Sequence, residues 1–207
     1  MKRFISIAAL LLSCSTGVNA SDGTTVYYET LSLDLSAGGV TVNAASMAGF
    51  GISGTSSITE EVFISSAYTR LTGDIAGFAS SMSAWQVGLG YTIHDDLNLK
   101  AGSGSQFRTA VGYFSTDIVT KISGTEYSEG DNGTSIGANY TLALGEAVSV
   151  DATVSGPLEG FEASFGFGGS YKLGAGKIRL AYSSNEETIN SVTLKASGYQ
   201  LGYTFNY

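Results

Sequence analysis

The chain has 207 residues, with 10 Lys and Arg against 18 Asp and Glu, a net charge of −8 at neutral pH. So acidic a sequence lacks the basic surface that nucleic acid requires, which excludes that class of partner. The length suits one domain. Its 28 Gly and single Pro would fill a soluble core poorly, but they suit a sheet that needs clearance on one face.

The first element is a leader. Lys2 and Arg3 precede an apolar-rich stretch from Phe4 to Leu12, and Val18 and Ala20 stand at the small-residue positions before a cut. This pattern predicts a secretory signal peptide over residues 1–20, with Ser21 opening a domain that runs from 21 to 207. The "LLSC" at Cys14 resembles a bacterial lipoprotein cleavage box, although "VNA" offers the better site. A cut after Ala20 removes the only cysteine, leaving no disulfide and no Cys-based metal site. It leaves eight basic residues against eighteen acidic ones, a net charge of −10.

From there the sequence alternates at period two, the signature of half-buried strands. "VYYETLSLDLS" alternates from Leu31 to Leu35, with Glu29 on the apolar parity, which predicts a bulge or an early strand end there. "GFGISGTSSI" offers Phe50 and Ile52, "EVFISSAYTRL" Val62, Ile64 and Tyr68. "AWQVGLGYTI" sets Trp85, Val87, Leu89, Tyr91 and Ile93 against Gln86, Gly88, Gly90 and Thr92. "FRTAVGYFSTDI" gives Phe107, Val111 and Tyr113, and "SIGANYTLAL" gives Ile136, Ala138, Tyr140, Leu142 and Leu144. "AVSVDATVS" carries Val148, Val150, Ala152 and Val154. "FEASFGFGGSYKL" carries Phe161, Phe165, Phe167, Tyr171 and Leu173, and "KIRLAYS" carries Ile178, Leu180 and Tyr182. "YQLGYTFNY" closes the chain with Tyr199, Leu201, Tyr203, Phe205 and Tyr207.

Three features separate this pattern from a soluble sandwich. Aromatic residues gather toward segment ends, as at two membrane interfaces. The opposite face is Gly, Ser and Thr with occasional charges, which suits a lumen. The connections differ in length: "GE" at 145–146 and "GAG" at 174–176 are tight, whereas 37–45, 72–82 and 119–133 are longer and polar. The expectation is an all-β fold, a transmembrane antiparallel up-and-down β-barrel of ten strands. Eight is the alternative if the weak early segments pair differently. Closure satisfies every backbone group in hydrocarbon, and an even count places both termini on the periplasmic side.

The ending, an aromatic last residue with apolar residues at alternate positions before it, resembles the C-terminal signature of bacterial outer-membrane β-barrel proteins. It spans Tyr199, Leu201, Tyr203, Phe205 and Tyr207. The whole pattern is similar to OmpX-like and OmpA-like barrels and to predicted porin-like proteins. The resemblance implies residence in a Gram-negative outer membrane among lipid and lipopolysaccharide, with the last strand read by the barrel-assembly machinery. It implies no particular activity, because these barrels differ widely in function.

Chemistry-bearing motifs are few. "GFGISG" (Gly49, Gly51, Gly54) has dinucleotide-binding spacing, but that motif needs a strand-to-helix setting; among alternating strands it reads as lumen packing, so no nucleotide cofactor is expected. His94, the only histidine, sits in "IHDD" with Asp95 and Asp96 at a turn placed on the periplasmic side, and reads as a solvated turn rather than a metal site. Enzymes built on small outer-membrane barrels (lipid acyltransferases, deacylases, omptin proteases) resemble one another in placing catalytic groups outward, and no such constellation is found here. No cofactor, metal or catalytic residue is assigned.

The charges on the inward parity are Asp34, Arg108, Asp151, Glu162, Lys172, Lys177 and Arg179. Inside a narrow barrel they must pair or stay hydrated, so they form a salt-bridged plug or line an aqueous path. The outer connections are acidic: Asp74, Glu126, Glu129, Asp131, Glu159, Glu186 and Glu187. "SEGDNG" lacks full calcium-loop spacing, and divalent bridging to lipopolysaccharide phosphates is a further expectation for this face. The functions in view are a structural or surface-interaction barrel, with or without a narrow passive pore; a small-solute porin; and an enzyme acting on lipid or peptide.

Overall fold

The computed structural model describes residues 22–94, 105–158, 163–189 and 191–206. Ten strands make it up: β1 (Gly23–Ala37), β2 (Val40–Ser57), β3 (Val62–Ile75), β4 (Phe78–His94), β5 (Gln106–Ile122), β6 (Thr125–Ala143), β7 (Val148–Pro157), β8 (Ser164–Leu173), β9 (Gly176–Ile189) and β10 (Val192–Asn206). Each pairs antiparallel with its neighbours in sequence, and β1 pairs with β10 to close the barrel. Gly23 lies opposite Asn206, so the first and last strands begin and end at the same rim. The expected count of ten strands and up-and-down order hold.

The outward face carries the predicted apolar residues. Val26, Tyr28, Phe50, Ile52, Ile64, Tyr68, Trp85, Val87, Leu89, Tyr91, Val111, Tyr113, Phe165, Phe167, Leu180, Tyr199 and Leu201 are all exposed. Such an exterior would be a grave liability in water. Aromatic rings mark both edges of this belt. One girdle holds Tyr28 against Phe50, Trp85 against Tyr113 and Tyr182 against Tyr199, with ring centroids 5.3, 5.5 and 5.0 Å apart. The other, near the termini, holds Tyr203 against Phe205 at 4.8 Å.

Strand length decides what lies beyond the belt. β7 and β8 have 10 residues each, about the nine to eleven that cross a bilayer when tilted. By contrast, β2 has 18, β5 has 17 and β6 has 19. The surplus extends past the upper girdle, away from the termini, as a wall of hairpins. There the sides exchange polarity. Ser32, Asp34, Arg70, Thr72, Asp74, Asp117 and Lys195 lie outward, while Leu31, Leu33, Met47, Leu71, Met82 and Leu194 are buried inside.

Two expectations are corrected here. Asp34 is not a lumen charge: Tyr27 and Glu29 point inward, so Leu31 and Leu33 on the same parity do too, and Asp34 falls on the outer face. A bulge on β2 opposite Leu33 and Asp34 leaves this parity of β1 intact. Asp34 Oδ1 accepts a 2.9 Å hydrogen bond from Asn43 Nδ2, which also donates to Ser32 Oγ. Nor are 37–45, 72–82 and 119–133 long loops. They are strand ends joined by two-residue turns at 38–39, 76–77 and 123–124. In the latter two, Ala76 and Ser123 (φ 52° and 50°) precede Gly77 and Gly124 (φ 80° and 86°). Consecutive residues at positive φ make the turn whose twist matches a hairpin.

The projecting wall is incomplete. β6 pairs with β7 only up to Ser135 opposite Pro157, and β8 with β9 only up to Phe165 opposite Ser184. Beyond those points, among the described residues, β6 is laddered with β5 alone, apart from the Leu158 N–H bond to the Thr134 carbonyl, and β9 with β10 alone.

Candidate functional site

The lumen is the enclosed space with chemistry, and it has two compartments. Near the termini it is polar, and glycines on the inward face make room for larger side chains. A Cβ on Gly51 would lie 2.3 Å from the Tyr27 ring, and one on Gly168 would lie 2.8 Å from both Arg179 and Asp151. These glycines are selected for space rather than for backbone conformation.

Tyr27 is 1% exposed, and its ring lies over Gly51 of β2 so that its hydroxyl bonds to Thr69 of β3. Arg179 donates to Asp151 Oδ2 at 2.6 Å and to Gln200 Oε1 at 3.3 Å. The Arg108 guanidinium lies 4.8 Å from the centre of the Phe63 ring, a cation–π contact. Hydroxyl pairs fill the remaining inward positions: Thr25 with Thr204 at 2.8 Å and Ser149 with Ser170 at 2.7 Å. Asn139 donates to Thr153 Oγ1 at 2.8 Å. A cavity of about 40 Å³, lined by Ser65, Gln86, Gly88, Gly112, Ser135 and Ser155, is large enough for water.

Above this layer lies the apolar compartment. Leu71 is 0% and Met82 1% exposed, packed with Leu31, Leu33, Met47, Ala84, Leu194 and Ala196. These residues come from the adjacent strands β10, β1, β2, β3 and β4, with Ile118 of β5 packed against them, so they form a dry seal over that half of the bore.

Of the predicted inward charges, the structure brings Asp151 and Arg179 together and places Arg108, Lys172 and Lys177 on the inward parity at the terminal end. Glu162 and Tyr207 lie outside the described residues. So do Cys14, Asp95, Asp96, Glu159 and the predicted leader. β4 ends at His94, on the rim that holds the termini. Asp74, Glu126, Glu129, Asp131, Glu186 and Glu187 lie in the projecting strands, with Glu129, Asp131 and Glu187 on the inward parity. The "GFGISG" glycines are inside β2, in antiparallel pairing on both sides, with no helix following.

Sequence reading missed Glu29, Tyr27, Phe63 and Gln200 as lumen residues, and missed the seal entirely. Glu29, 3% exposed, was the available signal. A carboxylate on the parity of three leucines meant that this parity turns inward. Among the described residues no three His, Cys, Asp or Glu side chains are grouped to hold a metal.

No protein-family model matches the sequence, and a search of curated proteins returns no match. Solved structures share the general architecture. Ail, the attachment invasion locus protein of Yersinia pestis, is 8% identical with a TM-score of 0.42, over 89% of this chain and 99% of that one. The outer membrane protein OprG from Pseudomonas aeruginosa is 11% identical with a TM-score of 0.44, over 90% and 98%. The translocator domain of the autotransporter NalP from Neisseria meningitidis is 12% identical with a TM-score of 0.44, over 95% and 92%.

Proposed function

We propose that the chain is an integral outer-membrane β-barrel with a closed lumen, acting as a structural or surface-interaction protein and not as a solute pore or an enzyme. The apolar seal of Leu71, Met82 and their neighbours is the observation that carries this reading. A conducting path needs continuous water, and this buried aliphatic layer on one half of the wall narrows the space left for it. Beneath the seal, the Arg179–Asp151 pair and the Tyr27–Thr69 bond occupy the remaining bore.

Location follows from surface chemistry. An apolar belt on a closed barrel suits hydrocarbon, because closure leaves no backbone group unpaired. Export through the predicted leader and recognition of the last strand by barrel-assembly machinery complete the route. In this orientation the termini face the periplasm. The projecting wall faces outward, among lipopolysaccharide and whatever the cell meets. Its acidic residues Asp74, Glu126, Glu186 and Asp117 are exposed there.

The test is single-channel recording of the refolded mature protein in planar bilayers, beside the double variant Leu71→Ser/Met82→Ser. Wild type is expected to be silent and the variant to conduct or flicker. Discrete, reproducible steps from the wild type would overturn the closed reading in favour of a porin. Recovery of the expressed protein from the soluble periplasm would overturn the membrane assignment.

A further inference from the structure

The end of the lumen nearest the termini holds charges that neither the seal nor the ion pair uses. Lys172 on β8 and Lys177 on β9 are direct cross-strand partners, one step from the turn at 174–175. Both lie on the inward parity, since Tyr171, Leu173 and Ile178 beside them face outward. Like charges directly opposite destabilise an antiparallel pair. Among the described residues neither lysine has an ion-pair partner.

Their surroundings are cationic and rich in hydroxyl groups. Arg179 stands two residues beyond Lys177 on the same face, and Arg108 lies within electrostatic reach of Lys177 across the bore. Of the nearby carboxylates, Asp151 and Asp22 are engaged, while Glu146 stands exposed in the turn before Ala147, whose carbonyl accepts the Lys172 backbone N–H. Asp151 is bound to Arg179 at 2.6 Å, and Asp22 accepts bonds from the Ser57 backbone N–H and hydroxyl at 2.9 and 2.7 Å. Ser170, the next inward residue from Lys172, is paired with Ser149, and Thr204 is the direct β10 partner of Lys177. The Arg179–Asp151 pair fills the space beside Gly168 and so closes the inner end.

We propose that this vestibule binds a phosphate-class oxyanion between Lys172 and Lys177. Each ammonium offers three donors and no acceptor, and lysine serves phosphate as a point charge rather than a planar fork. A dianion balances both lysines at once and converts a repulsive cross-strand pair into a bridged one. The hydroxyls of Ser149, Ser170 and Thr204 supply further donors without further charge. A free anion suits the site better than a lipid headgroup, because the two ammonium groups turn toward the lumen while the lipid-facing neighbours are Tyr171, Leu173 and Ile178. Binding needs only the barrel; its exposure to the periplasm rests on the reading given above.

Inorganic phosphate is titrated by calorimetry and ³¹P line broadening into the refolded mature barrel in uncharged detergent at low salt. The variants are Lys172→Gln, Lys177→Gln, the double change, Lys177→Arg, and Lys195→Gln on the outer face. Expected are saturable binding to wild type, at least a tenfold loss in either single glutamine variant, retention in Lys177→Arg and no change in Lys195→Gln. Heat-modifiable gel mobility shows that each variant is folded. A second arm replaces phosphate with phosphatidylglycerol in mixed micelles. Absence of saturable phosphate binding, equal weakening by Lys195→Gln, or a response confined to the lipid would each overturn the proposal. Conductance is read separately, so an open pore with an intact phosphate site would refute the closed lumen and leave this site standing.

Discussion

Truncation of Leu71 to alanine tests the seal at its centre. Leu71 is 0% exposed and lies among Leu31, Leu33, Met47, Met82 and Leu194, side chains delivered by four different strands. Burial of a leucine contributes roughly 1.5–3 kcal/mol from transfer alone. The cavity left by truncation adds to that loss to the extent that the surroundings cannot collapse. Here collapse is restricted, because β3 is hydrogen-bonded to β2 and β4 at this height and cannot move inward without breaking ladders. The expected loss is therefore about 3–4 kcal/mol, within the range for buried Leu→Ala changes. The assay is reversible urea unfolding of the refolded barrel in phospholipid vesicles, followed by tryptophan fluorescence from Trp85. Leu201→Ala is the control: that leucine is 55% exposed on the outer face, where lipid chains refill the space, and a smaller loss is expected. A Leu71→Ala loss below about 1 kcal/mol would mean that this level of the lumen is wet, and the argument for a dry seal would fail.

Two further substitutions probe the polar compartment. Asp151→Ala leaves the Arg179 guanidinium with its 3.3 Å bond to Gln200 and no opposing charge; loss of one partner from a buried pair costs about 3–5 kcal/mol, so about 3 kcal/mol is expected in the same unfolding assay, and a loss under about 1 kcal/mol would show the pair to be solvated. Gly51→Ala puts a methyl group against the Tyr27 ring; overpacking of this kind costs typically 1–3 kcal/mol, and Tyr27→Leu in the same chain should recover part of the loss, which a thermal melt can check.

The sequence carried the belt far better than the seal. From Trp85 to Ile93, from Val148 to Val154 and from Tyr199 to Phe205, alternation survives over a full crossing, and each expected outward residue is outward. Period two reports that one face is apolar, however, not which face it is. Lipid and a dry interior select the same residues, so the parity of Leu31, Leu33 and Leu35 was taken as the outward one and Asp34 as inward, although the outward Val26 and Tyr28 stand on the opposite parity. The projecting strand "TEYSEGDNGT" failed for a different reason. Neither of its parities is apolar, and the ladder with β5 makes it a strand. The turn chemistry was present but unread: "GG" at 38–39, "AG" at 76–77 and "SG" at 123–124 each offer the glycine that a two-residue hairpin needs, inside stretches taken as longer connections. Of the predicted inward charges, Arg108, Asp151, Lys172, Lys177 and Arg179 lie on strands whose outward face is unambiguous. Asp34 lies on β1 above the height at which the apolar parity changes sides.

The exchange of polarity at the upper girdle also sets how deep the barrel sits. Sinking by a single residue pair would draw Thr30, Ser46, Arg70 and Ser83 toward acyl chains, and rising by the same step would lift Tyr28, Trp85 and Tyr199 into water. Both displacements are opposed around most of the circumference, so a bilayer of a different thickness must deform to meet the protein. The seating height is written into the chain residue by residue, and a thinner or thicker membrane would register as strain in the surrounding lipid before it registered in the barrel.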